Sequence, residues 1–198
     1  MSATSRKREE FLSGESRYRG PNRVIFLVFA LVAVVGIAWF VLATRNDAEV
    51  PRRWEGGNYN VGRTFNYKNQ VISMTDIENK TENGKILIPL DKVVESKIIY
   101  TETKYELNGV PKALTAMVTP VGRLIVSLAM CEPCRSQRFH INENILVCDT
   151  CGTRWLLNDL RGLSGGCPEY PPEELPYEVK DGTIYVPEDI VRDWKPRI

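Results

Sequence analysis

From Val24 to Thr44 the chain reads VIFLVFALVAVVGIAWFVLAT, 21 residues without a charge. At about 1.5 Å of rise per residue, a helix of that length crosses the roughly 30 Å hydrocarbon layer of a bilayer. A helix on a soluble core would carry a polar stripe, and this run has none. It therefore reads as a transmembrane helix, with Trp39 and Phe40 near its far end, where aromatic rings favour the membrane interface. Arg6, Lys7, Arg8, Arg17, Arg19 and Arg23 precede it, against Arg45, Arg52 and Arg53 just after it, which predicts a cytoplasmic N-terminus. A cleaved signal peptide is the rival reading, because Val41-Leu42-Ala43 suits a signal peptidase. The apolar run, however, exceeds the about 7–15 residues of a usual signal core. Under either reading the rest of the chain is exported, to the periplasm or the exterior of a prokaryotic cell.

The remaining organisation follows from that anchor. Residues 1–23 are polar and charged without apolar periodicity and read as a disordered cytoplasmic tail. Residues 24–44 form the span, and residues 45–85, rich in Gly, Asn, Arg and Pro near Gly56-Gly57-Asn58, form a stalk and lead-in strands. Residues 86–198 form one β domain, since 198 residues leave room for a single core beside the anchor. Its strand candidates are Ile86–Leu90, Ser96–Leu107 ending at the Asn108-Gly109 turn, and Ala113–Val118 paired with Arg123–Ala129 across Thr119-Pro120-Val121-Gly122. A second hairpin joins Tyr177–Val179 to Ile184–Val186 around Asp181-Gly182, and Pro187 starts a short helix through Trp194.

Charge and histidine content narrow the function. Basic and acidic residues number 26 and 25, so no global field recruits nucleic acid. With His140 the single histidine, no Ser/His/Asp set can be placed, which argues against a hydrolase.

Five cysteines are more than packing requires, and four of them fall in two pairs of identical spacing. Cys131-Glu-Pro-Cys134 is followed after thirteen residues by Cys148-Asp-Thr-Cys151-Gly152. Two such knuckles flanking a hairpin can place four thiolates at the corners of a tetrahedron, the soft ligands that iron and zinc accept. The spacing does not choose between a zinc ribbon, a mononuclear iron centre and an iron–sulfur cluster. Two disulfides are a further reading, because export exposes the thiols to an oxidising compartment. Covalent haem is excluded, since Arg135 and Gly152 stand where C-x-x-C-H needs histidine. A thioredoxin-like pair lacks its βαβ setting. Cys167, in Gly165-Gly166-Cys167-Pro168, reads as a further metal ligand or as a buried turn cysteine. His140, on a strand between the knuckles, reads as a satisfied residue rather than a ligand.

The order of these parts resembles the FtrD-like membrane iron–sulfur proteins: a hairpin ending in C-x-x-C, a second C-x-x-C with a following aromatic, then G-G-C-P, a proline-rich passage and a D-G-x-I-x-V hairpin. The resemblance covers about Ile86 to Ile190. It implies a bacterial or archaeal electron-transfer component acting with an iron permease system. Cys131, Cys134, Cys148 and Cys151 match the two pairs of the family, and Gly165, Gly166 and Cys167 match its glycine-cysteine turn. The layout is also similar to a degenerate Rieske domain in which both cluster histidines are replaced by cysteine knuckles. Without histidine ligation a lower potential is expected.

The sequence thus predicts a mainly β fold, an N-terminal transmembrane helix followed by a small Rieske-like, zinc-ribbon-containing β-sandwich. Its expected cofactor is an iron–sulfur cluster or mononuclear iron, with zinc as the alternative. Its expected function is electron transfer beside a membrane permease or redox partner, with a redox-silent zinc adaptor as the alternative.

Overall fold

A computed structural model describes residues 22–43 and 52–198. The predicted disordered tail falls, apart from its last two residues, outside the described residues. The chain divides into two compact units, Met1–Asp47 and Ala48–Ile198.

The first unit contains helix α1 (Arg23–Ala43). Its described side chains, through Phe40, are all exposed. It is long and apolar enough to cross a membrane.

The second unit is mainly β, as expected. Its strands are β1 (Val71–Ser73), β2 (Thr75–Asp76), β3 (Lys80–Glu82), β4 (Lys85–Pro89), β5 (Ile98–Leu107), β6 (Val110–Val118) and β7 (Leu124–Leu128). They continue with β8 (Phe139–Asn142), β9 (Ile145–Cys148), β10 (Arg154–Leu156), β11 (Gly162–Ser164), β12 (Glu178–Lys180) and β13 (Thr183–Pro187). Two short helices, α2 (Leu90–Ser96) and α3 (Glu188–Asp193), follow β4 and β13. The strands form three sheets, ordered β1-β8-β9-β10-β11, β12-β13-β4-β3 and β2-β5-β6-β7.

Local chemistry explains the hairpins. Asn108-Gly109 and Asp181-Gly182 both take positive φ at the two turn positions, 54° and 79° in the first and 48° and 72° in the second. That is the backbone of a two-residue hairpin turn, whose twist matches the flanking strands. The β5–β6 pair runs from Ile98 opposite Met117 to Leu107 opposite Val110, and β6–β7 from Leu114 opposite Leu128 to Val118 opposite Leu124. Pro89 and Pro187 end the neighbouring strands β4 and β13 and stand at the N-caps of the two helices. Ile86–Leu90 therefore does not run on as strand: β4 stops at Pro89 and Leu90 opens α2.

Alternation along the central sheet sorts its side chains into two cores. Ile99, Leu114, Ala116, Val126 and Leu128 join Ile88, Val186, Val191 and Trp194 on one face. Ile98, Met117 and Ile125 join Phe139, Ile141, Leu146 and Trp155 on the other, together with Cys131, Cys148 and Cys167. These three cysteines thus belong to the second core. The outer edge of β7 is covered rather than left open: Leu124 and Leu128 donate their amides to Tyr59 and Glu173, and Leu175 donates to Val126. Such coverage removes a free strand edge.

Two charged networks tie loops to this framework. Buried Glu173 meets Arg53 at 2.9 Å and accepts the indole N–H of Trp194 at 2.7 Å. Buried Glu174 pairs with Arg52 at 3.0 Å and with Arg123. Lys112, also buried, donates to the carbonyls of Val191, Arg192 and Trp194, at 3.2, 2.5 and 2.9 Å, and so satisfies the C-terminal end of α3.

Candidate metal centre

The two knuckles are built alike. In the first, the Cys131 amide donates to the Ser136 carbonyl at 2.8 Å; in the second, the Cys148 amide donates to the Thr153 carbonyl at 2.9 Å. Each closes a turn of six residues, and the residue after its second cysteine, Arg135 or Gly152, takes the left-handed conformation with φ of 56° or 68°. The first knuckle lies between β7 and β8, and the second is the turn between β9 and β10. The β8–β9 hairpin, with Phe139 opposite Cys148, brings them together. Phe139 meets Trp155 edge to face at 6.2 Å beneath the site.

The sulfur atoms of Cys131, Cys134, Cys148 and Cys151 all lie within 4.8 Å of one another. Two contacts join one knuckle to the other: Cys134 to Cys148 at 3.6 Å and Cys131 to Cys151 at 3.8 Å. No two of the cysteines are joined as a disulfide, so the five thiols are free. Cys131 and Cys148 are buried, whereas Cys134 and Cys151 are half-buried at the surface side.

The thiols do not titrate independently. A hydrogen bond from Cys131 first, then backbone amides of Cys151 and Thr150, hold Cys148 down at about 4 despite its burial. Cys131 is pushed far up, first by that same bond to Cys148 and then by burial. Burial pushes Cys134 up to about 11. Burial would also raise Cys151, but hydrogen bonds from the Thr153 hydroxyl and backbone bring it net below its ordinary value. Neighbouring thiolates repel one another, so a bound cation would stabilise their charged forms together.

The spacing identifies what such a cation can be. Metal–thiolate bonds of about 2.3 Å in a tetrahedron put the sulfurs about 3.8 Å apart. The contacts here have that length, so the four residues fit one thiolate-bound ion.

Of the other candidate residues, Cys167 lies beside this group but outside the four mutually close sulfurs. It is buried, and its amide donates to the Thr153 hydroxyl at 3.2 Å. His140 is engaged elsewhere, with Nδ1 at 2.6 Å from the Asp149 carboxylate. Sequence reasoning missed three residues that shape the site. Thr153 places its hydroxyl 3.1 Å from the Cys151 sulfur. Ser136 closes the first knuckle. Glu132, inside the first C-x-x-C, is buried against Arg197, whose Nε lies 2.5 Å from its carboxylate and whose guanidinium also reaches the Pro171 carbonyl at 2.8 Å. The position of Thr153 two residues after the last knuckle cysteine was its available signal; the Glu132–Arg197 pair, 65 residues apart, offered none.

The fold and the site define a small β domain whose four closely grouped cysteine sulfurs could hold a metal ion, in a chain with a membrane-length apolar helix. A family model described as membrane iron–sulfur containing protein, FtrD-like, matches residues 93–198, more than half of the chain, and the chain belongs to that family. No curated protein matches it significantly.

Proposed function

We propose that this protein is a single-pass, membrane-anchored electron carrier in which Cys131, Cys134, Cys148 and Cys151 hold one iron ion. The observation that carries the reading is the convergence of those four sulfurs within 4.8 Å, the spacing of ligands shared by a single ion. Iron bound in this way supplies a one-electron ferric/ferrous couple. The chain supplies the rest. The knuckle amides aimed at Cys148 stabilise its charge, and the buried positions of Cys131 and Cys148 keep water from the inner half of the site. The half-buried Cys134 and Cys151 form the edge through which an electron enters or leaves.

The anchor sets the setting of that exchange. The excess of basic residues before the span supports an N-terminus in the cytoplasm and a domain, residues 86–198 with its lead-in 45–85, on the outer side. In this reading the partner is a membrane permease or redox protein in the same bilayer, and what family membership supports is the membrane setting. The Rieske-like layout belongs to this reading too, with cysteine knuckles in place of the histidine boxes.

The full chain purified in mild detergent is expected to carry one iron per polypeptide, a visible thiolate-to-iron absorption and a ferric EPR signal that a reductant bleaches. A colourless protein with stoichiometric zinc would refute the electron carrier and establish the adaptor whose zinc only staples the domain. Acid-labile sulfide with two or more irons would refute the single-ion centre.

A further inference from the structure

Thr153 is fully buried, and its hydroxyl has two neighbours: the Cys151 sulfur at 3.1 Å and the Cys167 amide nitrogen at 3.2 Å. A hydroxyl offers one proton and two lone pairs, and a backbone N–H can only donate. The Cys167 amide therefore occupies a lone pair, which leaves the hydroxyl proton for the sulfur. A thiolate is the acceptor that such a proton suits.

The loop that carries Cys167 is shaped to hold that amide in place. A Cβ on Gly165 would come within 2.5 Å of the Thr153 Cα and 2.6 Å of its Oγ1, and Gly165 has φ of 114°. Only glycine lets the backbone lie this close to Thr153 in this conformation. Beyond Cys167, the Pro168 carbonyl accepts the Trp155 indole N–H at 3.0 Å, and a Cβ on Gly162 would come within 2.5 Å of the same carbonyl oxygen. The turn is thus pinned on both sides of Cys167, against β10 and against the second knuckle.

We propose that Thr153 is a positioning residue of the centre, its hydroxyl aimed by the Cys167 amide and donating to the Cys151 thiolate. The Gly165-Gly166-Cys167 turn acts through that hydroxyl, with its backbone, and not by adding the Cys167 sulfur to the ligand set. The inference rests on the reading of the four cysteines as ligands of one ion. A hydrogen bond to a ligating sulfur withdraws charge from it, which favours the more electron-rich reduced ion and raises the reduction potential.

The test uses the full chain in detergent with its metal bound. Thr153→Val keeps the shape and removes the hydroxyl; its couple is expected at a more negative potential, with metal content unchanged. Thr153→Ser is expected to restore the wild-type potential, which a merely space-filling role of the methyl would not do. Cys167→Ala keeps the amide and is expected to retain the metal. A wild-type potential in Thr153→Val, or loss of metal in Cys167→Ala, overturns the proposal. Cadmium-loaded wild-type protein provides an arm that needs neither a variant nor iron. There the Thr153 hydroxyl proton is expected to exchange slowly and to show a scalar coupling to the metal across the sulfur, and absence of that coupling sinks the inference. A wild-type protein with no redox-active iron but with that coupling refutes the electron carrier while leaving the role of Thr153 standing.

Discussion

Arg135 and Gly152 occupy equivalent places in the two knuckles, and both adopt a conformation that favours glycine. A side chain at that φ costs about 1 kcal/mol or more, part of which is regained because glycine has more freedom to lose on folding. Arg135 is exposed, so replacing it sacrifices little packing. Arg135→Gly is therefore expected to stabilise the domain by about 0.5–1 kcal/mol, read as an upward shift of the urea midpoint with an unchanged slope. Cys148 lies at the other extreme. It is buried, contacts Cys134 across the site, and is the thiol most strongly held as a thiolate. Cys148→Ser is expected to abolish metal binding and to cost several kcal/mol, because binding energy at a thiolate site is folding energy. Chelation of the wild-type protein should lower the thermal midpoint in the same direction, and a midpoint indifferent to both treatments would show that no ion sits there. The ligand candidates were legible in the sequence because their spacing is itself the chemistry: two residues between cysteines is the span of a knuckle. Thr153 and Glu132 were not. Their roles depend on which distant backbone or side chain arrives beside them, the Cys167 amide in one case and Arg197 in the other.

Among the strands, those joined by short turns could be read directly, since Asn108-Gly109 and Asp181-Gly182 encode both a turn and its register. What the sequence did not reveal was how the hairpins combine. The pairing of β1 with β8, from Val71 opposite Asn142 to Ser73 opposite His140, links segments with no local signal between them. The parallel contact of β2 with β5 is equally silent. Helix α2 escaped notice because it is two turns long and buries only Val93 fully, too little for a helical period to emerge. The lead-in before β1 is likewise fastened by a distant partner. Tyr67 is 1% exposed and donates its hydroxyl to the Val118 carbonyl at 2.7 Å, tying residues ahead of β1 to the end of β6. Burial pushes its phenol up to about 12, from about 10 in an unfolded chain. The folded state thus binds that proton more tightly. The associated stability, about 2–3 kcal/mol, is fully present below pH ~10 and is lost as pH rises through ~12. Urea unfolding across that window should show stability falling with pH, and Tyr67→Phe should remove the share of the slope that belongs to this residue. Tyr177, also raised to about 12 by burial, accounts for part of what remains. An unchanged slope in Tyr67→Phe would mean that the phenol is not confined as described.

For the molecule as a whole, the long apolar helix was the feature most readily legible, because a bilayer would act on such a helix without help from any other part of the fold. Fourteen of the 21 residues of α1 are Val, Ile, Leu or Phe. At roughly −0.3 to −0.6 kcal/mol for each, they favour insertion by at most about 4–8 kcal/mol. An arginine at the centre of a span costs about 2.5–3.5 kcal/mol. A single Val32→Arg or Val35→Arg change therefore leaves a favourable balance, whereas the two together cost about 5–7 kcal/mol and cancel most of it. The two positions are three apart and share one side of the helix, so tilting cannot carry one arginine to each interface as easily as it could two residues at opposite ends. Carbonate-washed membranes should retain the wild-type chain and either single variant, while the double variant should partition largely into the wash. Full retention of the double variant would mean that contacts beyond the helix hold the chain to the membrane. Release of the wild type would mean that α1 does not span it, and the electron carrier proposed above would lose the bilayer that brings it to a membrane partner.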